Sequence, residues 1–97
     1  MNIYELIRSW AKQRGIYDSG DPKTQLVKLV EEQGELAEAI LKNDKVEIED
    51  AIGDMIVVLT NLAYFYDLKV EDCVDSAYKE IKNRQGKMIN NTFVKDE

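Results

Sequence analysis

Apolar residues recur at intervals of three and four through most of this chain, the period of helices with one buried face. Tyr4, Ile7, Trp10 and Ala11 carry that spacing in a first helix from about Ile3 to Arg14, and Gly15 is a natural stop. Residues 16–21 read as a loop around Asp18-Ser19-Gly20. Asp21 followed by Pro22 reads as an N-cap with proline at the first helical position. The second helix then runs to about Lys42 and ends in the polar turn Asn43-Asp44-Lys45. A third spans about Val46 to Tyr66. After Asp67-Leu68-Lys69, a fourth spans about Val70 to Arg84 and is stopped by Gly86. The tail, residues 87–97, is short and polar around Thr92-Phe93-Val94, and a strand-like arm, an added turn or a frayed end all fit it.

Plotted at 100° per residue, the second helix gathers Leu26, Leu29, Val30, Leu36, Ala37, Ile40 and Leu41 on one apolar arc. Glu31, Glu35 and Glu38 fall on the other side, with Glu32 at the arc's edge. On the third helix Glu47, Asp50, Asp54 and Asn61 form one polar stripe within about 60°. From Ile52 onward the rest of that helix is apolar nearly all round, as in a helix enclosed on most sides. Four helices in one protomer can hardly enclose it. The expectation is therefore an all-α protein, one domain over residues 1–97, whose bundle of about four helices completes its core by forming a homodimer or homotetramer.

Composition removes whole classes of function. The 97 residues include no histidine, which excludes Ser-His-Asp and Cys-His catalysis, zincin motifs and Glu-x-x-His di-iron sites. A formal net charge of −6 argues against a nucleic-acid polymer as partner, although a bound metal can reverse the sign locally for a nucleotide. One cysteine, Cys73, cannot form an internal disulfide and fits a reducing compartment. No basic-then-apolar leader opens the chain, and its longest near-apolar run, Met55 to Tyr66, is too short to cross a bilayer. A cytoplasmic protein without membrane contact is expected.

The candidate chemistry lies in two acidic clusters. Glu31-Glu32-Gln33-Gly34-Glu35 is the first; Glu47, Asp50 and Asp54 make the second, about twenty residues on. Glu32 and Glu35, three apart, project together from adjacent turns. No lysine stands four residues beyond Glu31, Glu32 or Glu35 to relieve their repulsion. Each cluster also holds a glycine, Gly34 or Gly53, suggesting helices that approach closely. An exposed acidic face, or an ion pair from Asp50 and Asp54 to the fourth helix, would be the plain structural explanation. A divalent cation shared by Glu32, Glu35, Asp50 and Asp54 accounts for both clusters, and an all-oxygen donor set suits magnesium, or manganese, over zinc.

Glu31-Glu32-x-x-Glu35-Leu36-x-x-Ala39-Ile40, a spacer, and then Ala51-Ile52-Gly53-Asp54 resemble the MazG-like nucleoside triphosphate pyrophosphohydrolases. Those are all-α enzymes carrying Glu-Glu-x-x-Glu and Glu-x-x-Asp on two helices. The resemblance implies Glu32 and Glu35 as magnesium ligands and Asp54 as the closing aspartate of the second motif. It implies for Glu31 either ligation of a second ion or activation of the attacking water. Where the family has the second motif's glutamate this chain has Ala51, with Asp50 one residue earlier on the Asp54 stripe. The implied reaction converts a nucleoside triphosphate to a monophosphate and pyrophosphate. Phosphoribosyl-ATP as substrate, or a helical module that binds metal or nucleotide without turnover, are the alternatives.

Further substrate contacts follow from position. Lys79, Lys82 and Arg84 on the last turns of the fourth helix could face the phosphates, or simply complement the helix dipole. Asn61 could meet a base or sugar, or serve as polarity inside an oligomer core. Trp10 could stack on a nucleobase or pack in the core.

Overall fold

The computed structural model describes all of residues 1–97 and is predominantly helical. Five helices, α1 (Ile3–Gln13), α2 (Ile16–Ser19), α3 (Pro22–Leu41), α4 (Lys45–Tyr64) and α5 (Val70–Ile81), are followed by strands β1 (Gly86–Ile89) and β2 (Thr92–Lys95). Each of the first, third and fourth helices begins where a side chain takes over an orphaned backbone donor. Asn2 accepts from the Glu5 N–H, Asp21 from that of Thr24, and Asp44 from that of Glu47.

The ends of α3 and α4 share one device. Asn43 and Asp67 adopt left-handed backbone, with φ of 56° and 58°. Behind them the Asp44 N–H donates to the Ala39 carbonyl, and the Leu68 N–H to that of Ala63, so the last carbonyls of both helices are capped. The turn after α3 is short enough to bring α4 back antiparallel alongside it.

That α3–α4 hairpin is the frame of the molecule. Its seam reads Gln25, Leu29, Glu32, Leu36 and Ala39 on α3, and Ile48, Ala51, Met55, Val58 and Leu62 on α4, each buried or half-buried. The spacing alternates four and three, the signature of two helices packed along their length. One consequence was hidden in the wheel: the apolar arc of α3 is split. Leu29 and Leu36 face α4, whereas Leu26, Val30 and Ile40 lie one residue further round and are exposed.

α1 packs against the other side of α4, and Ala11 is fully buried there. Residues 16–21 are not the open loop the sequence suggested. Gly15, at φ 77°, ends α1 and lets α2 begin at once. The turn is held because Tyr17 stacks on Tyr64 with centroids 3.7 Å apart, meets Phe65 edge-on, and donates its hydroxyl to Asn61 Oδ1 at 2.7 Å. Packing against α4, which local sequence cannot report, makes it helical.

The C-terminal third also differs from expectation. α5 ends at Ile81, so Lys82 is its C-cap and Arg84 lies beyond it. Gly86 does not stop the helix but opens a strand. The tail is an antiparallel hairpin pairing Met88 with Phe93 and Ile89 with Thr92. Its two-residue turn, Asn90-Asn91, has φ of 49° and 67°, the double positive φ of a type I′ turn. The first turn of α5 is anchored by Val70, buried, and by a two-pronged bond from Arg8 on α1 to Glu71 at 2.6 and 2.8 Å. Arg8 holds the Glu71 carboxyl down at about 2. No helix is long and apolar enough to cross a membrane.

Candidate active site

The seam and its period dictate where the carboxylates go. One residue before each seam position, α3 carries Glu31, Glu35 and Glu38, and α4 carries Glu47, Asp50 and Asp54. In an antiparallel pair these two rows lie on the same face of the hairpin. There they line a groove of about 430 Å³ whose walls are Glu35, Glu38, Lys42, Glu47, Asp50 and Asp54, with Ala51 at its base.

At one end of the groove Glu32, Glu35 and Asp54 converge, each offering a carboxylate oxygen within 4.8 Å of the others. Glu32 is the unusual member because it occupies a seam position between Leu29 and Leu36. Its Oε2 is buried and has no hydrogen-bond partner. Burial pushes its carboxyl above the usual carboxylate range, and the neighbouring Glu35 and Asp54 push it further against a smaller opposing pull from Lys28. Three acids this close, one with an orphaned oxygen in an apolar seam, are poorly accounted for by an exposed acidic face. They fit a hard divalent cation, whose charge would satisfy the orphan and relieve the repulsion.

The other candidates fall in various places. Asp50 lies on the groove wall but outside the group of three. Glu31 is exposed on the Glu35 row one turn earlier, also outside it. Asn61 continues the Asp54 row, is buried, and already accepts the Tyr17 hydroxyl, so its carbonyl oxygen serves the fold. Trp10 lines a separate apolar hollow with Leu6, Ile7 and Val57, and Arg14 sits 5.7 Å from its ring centroid. Lys79 is paired with Asp75 one turn back at 2.8 Å. Lys82 and Arg84 are exposed at and beyond the end of α5. None of these three cations lines the groove of its own chain.

Sequence reasoning passed over Lys42, the one cation on the groove lining, which Glu38 holds at 2.9 Å. The signal was there: positions 35, 38 and 42 form one row. The expectation that Gly34 and Gly53 mark close helix approach is wrong. A Cβ built at either meets nothing within 4 Å, because both lie away from the seam.

A family model described as the MazG nucleotide pyrophosphohydrolase domain matches residues 21–89, which takes in both acidic rows. The chain is also similar to an "Uncharacterized 18.2 kDa protein in rep-hol intergenic region" of Haemophilus phage HP1 (strain HP1c1), 42% identical over 57 residues. That match covers 59% of this chain and 35% of the phage protein, so it spans about a third of that relative. No solved structure gives a significant match.

Proposed function

Because this chain belongs to the MazG nucleotide pyrophosphohydrolase domain family, we propose that it is a magnesium-dependent hydrolase of nucleoside triphosphates. It releases pyrophosphate and a nucleoside monophosphate, and its role is the removal of particular nucleotides from a pool. The observation that carries this reading is the convergence of Glu32, Glu35 and Asp54 around an unpaired, buried Glu32 oxygen.

Those three carboxylates would hold magnesium, or manganese in its place. Bound there, the ion supplies charge neutralisation for the phosphates and a more acidic water. The chain's own residues do the rest. Glu35 and Asp54, on facing helices, fix the two sides of the site through the rigid seam beneath them. Glu31, exposed one turn before Glu35, would either ligate a second ion or accept the proton of the attacking water. Lys42 on the groove wall is the protein cation available to a phosphate, once drawn from Glu38.

One observation favours a second reading, a module that binds nucleotide or metal without turnover. Ala51 is buried in the seam, where the resemblance would put a glutamate, and Asp50 stands outside the group of three. Pyrophosphate release from a panel of ribo- and deoxyribonucleoside triphosphates, with magnesium and with chelator, tests both. Magnesium-dependent release from at least one substrate is expected. Its absence from every substrate, phosphoribosyl-ATP included, with the protein folded by circular dichroism, would favour the module.

A further inference from the structure

The groove is more acidic than one divalent ion can balance. Glu35, Glu38, Glu47, Asp50 and Asp54 line it, and Glu32 joins them from the seam. These six carboxylates do not meet at one point. Glu32, Glu35 and Asp54 form a single group with oxygens within 4.8 Å of one another, and no other three acids of the chain do so.

A second cation has only one place to go. Beyond Asp54 its row on α4 continues with Val57 and Asn61, so Glu31 at that end has no acid opposite it. At the other end lie Glu38, Glu47 and Asp50, and there the groove already holds a cation of its own. Lys42 is the one basic side chain on the lining, and its Nζ meets Glu38 Oε1 at 2.9 Å. Glu38, then Glu47 on the facing helix and Asp44 in the turn, hold the ammonium above the usual lysine range, so it stays charged. Both partners of the ion pair are more than half exposed, so the bond is weak and the ammonium can exchange its carboxylate for another anion. Helical side chains lean toward the N-terminus, which points Lys42 back along α3 toward the group of three. Its partner Glu38 is only three residues, about 4.5 Å of helix, past Glu35.

We propose that Lys42 is the second cation of the groove. The chain holds one divalent ion, at Glu32, Glu35 and Asp54, and the Lys42 ammonium takes the place of another, turning from Glu38 to a phosphate when the triphosphate binds. This rests on the hydrolase reading above and fixes its cation count. An ammonium supplies charge and hydrogen-bond donors but does not make a water more acidic, so Lys42 serves binding and not the attack. Glu31, with no second ion to hold, is left the proton of the attacking water.

Manganese bound per chain, counted from the free-ion signal in electron paramagnetic resonance, reads this without turnover. The wild type should bind one ion. Lys42→Gln, which leaves Glu38, Glu47 and Asp50 without a cation, should bind two, whereas Lys42→Arg should stay at one. Two ions in the wild type, or one in a folded Lys42→Gln, overturns the proposal and leaves the hydrolase reading standing. A wild type that binds none overturns both. A second measurement reads the phosphates directly, by calorimetric binding of an imido-linked triphosphate that resists hydrolysis. At low magnesium Lys42→Gln should bind it about tenfold more weakly than the wild type, and high magnesium should restore the affinity. Equal affinity at low magnesium, or a loss that high magnesium does not restore, overturns the proposal.

Discussion

The two faces of the α3–α4 hairpin share one seam and one helical period yet carry opposite chemistry. One step before the seam the residues are acidic, Glu35, Glu38, Asp50 and Asp54; one step after it they are aliphatic, Leu26, Val30, Ile52 and Ile56. Both are exposed in the protomer, and neither is comfortable there. Exposed aliphatics cost hydration free energy, and clustered carboxylates repel. Each face therefore carries an unrelieved cost in the lone protomer, charge repulsion on one side and exposed apolar surface on the other. An amphipathic pattern therefore identifies a polar face without saying whether it is merely solvated. The convergence of three carboxylates, and the one acid that strays into the seam with an unpaired oxygen, bear on that distinction.

The largest effect should come from the acidic face. Glu35→Gln or Asp54→Asn removes a ligand charge while keeping nearly the same shape. Turnover should fall more than about a hundredfold with helicity unchanged, measured as pyrophosphate release. Near-wild-type activity in either variant would remove the metal assignment and leave the groove a plain acidic surface.

Glu32 belongs to both worlds and gives the next test. As a seam residue it should be better as leucine; as a ligand it is needed. Glu32→Leu should stabilise the metal-free protein by about 1 kcal/mol, several degrees in Tm, by removing an unpaired buried oxygen. The sign with pH follows from its raised carboxyl. In the wild type the protonated form is favoured by folding, so that stability is present below the ordinary carboxylate value and is lost as pH rises through the raised one. The advantage of Glu32→Leu should accordingly be larger at pH 7 than at pH 4. Adding magnesium should raise the Tm of the wild type at pH 7 and leave Glu32→Leu unmoved. A variant less stable than wild type without metal would show that the carboxylate supports the fold.

Much of this was legible in the sequence. The start of α3 was set by Asp21-Pro22, the break before α4 by Asn43-Asp44, and the carboxylate rows by spacing alone. What was not legible is tertiary. The wheel left Glu32 at the edge of an arc because the true seam could be fixed only once α4 was seen lying against it. Tyr17 becomes helical by packing on Tyr64 and Asn61, 44 and more residues away. Lys79, Lys82 and Arg84 do not line the groove of their own chain, a placement that depends on where α5 packs and not on local spacing. Strand pairing of Met88 with Phe93 depends on an Asn-Asn turn that local polarity disguised as an undefined tail.

The smallest effect concerns the glycines that first seemed to mark close helix contact. Gly34 and Gly53 sit in helix interiors, and an added Cβ at either meets nothing within 4 Å. Glycine costs a helix interior about 1 kcal/mol relative to alanine, chiefly through the freedom it keeps when unfolded. Gly34→Ala and Gly53→Ala should each raise stability by about that amount in urea unfolding, with no change in the slope against denaturant. If one of them instead lowers turnover while stabilising the protein, the open space above that glycine is where substrate lies. That outcome would extend the acidic face past Glu35 or Asp54 to a position that carries no side chain at all.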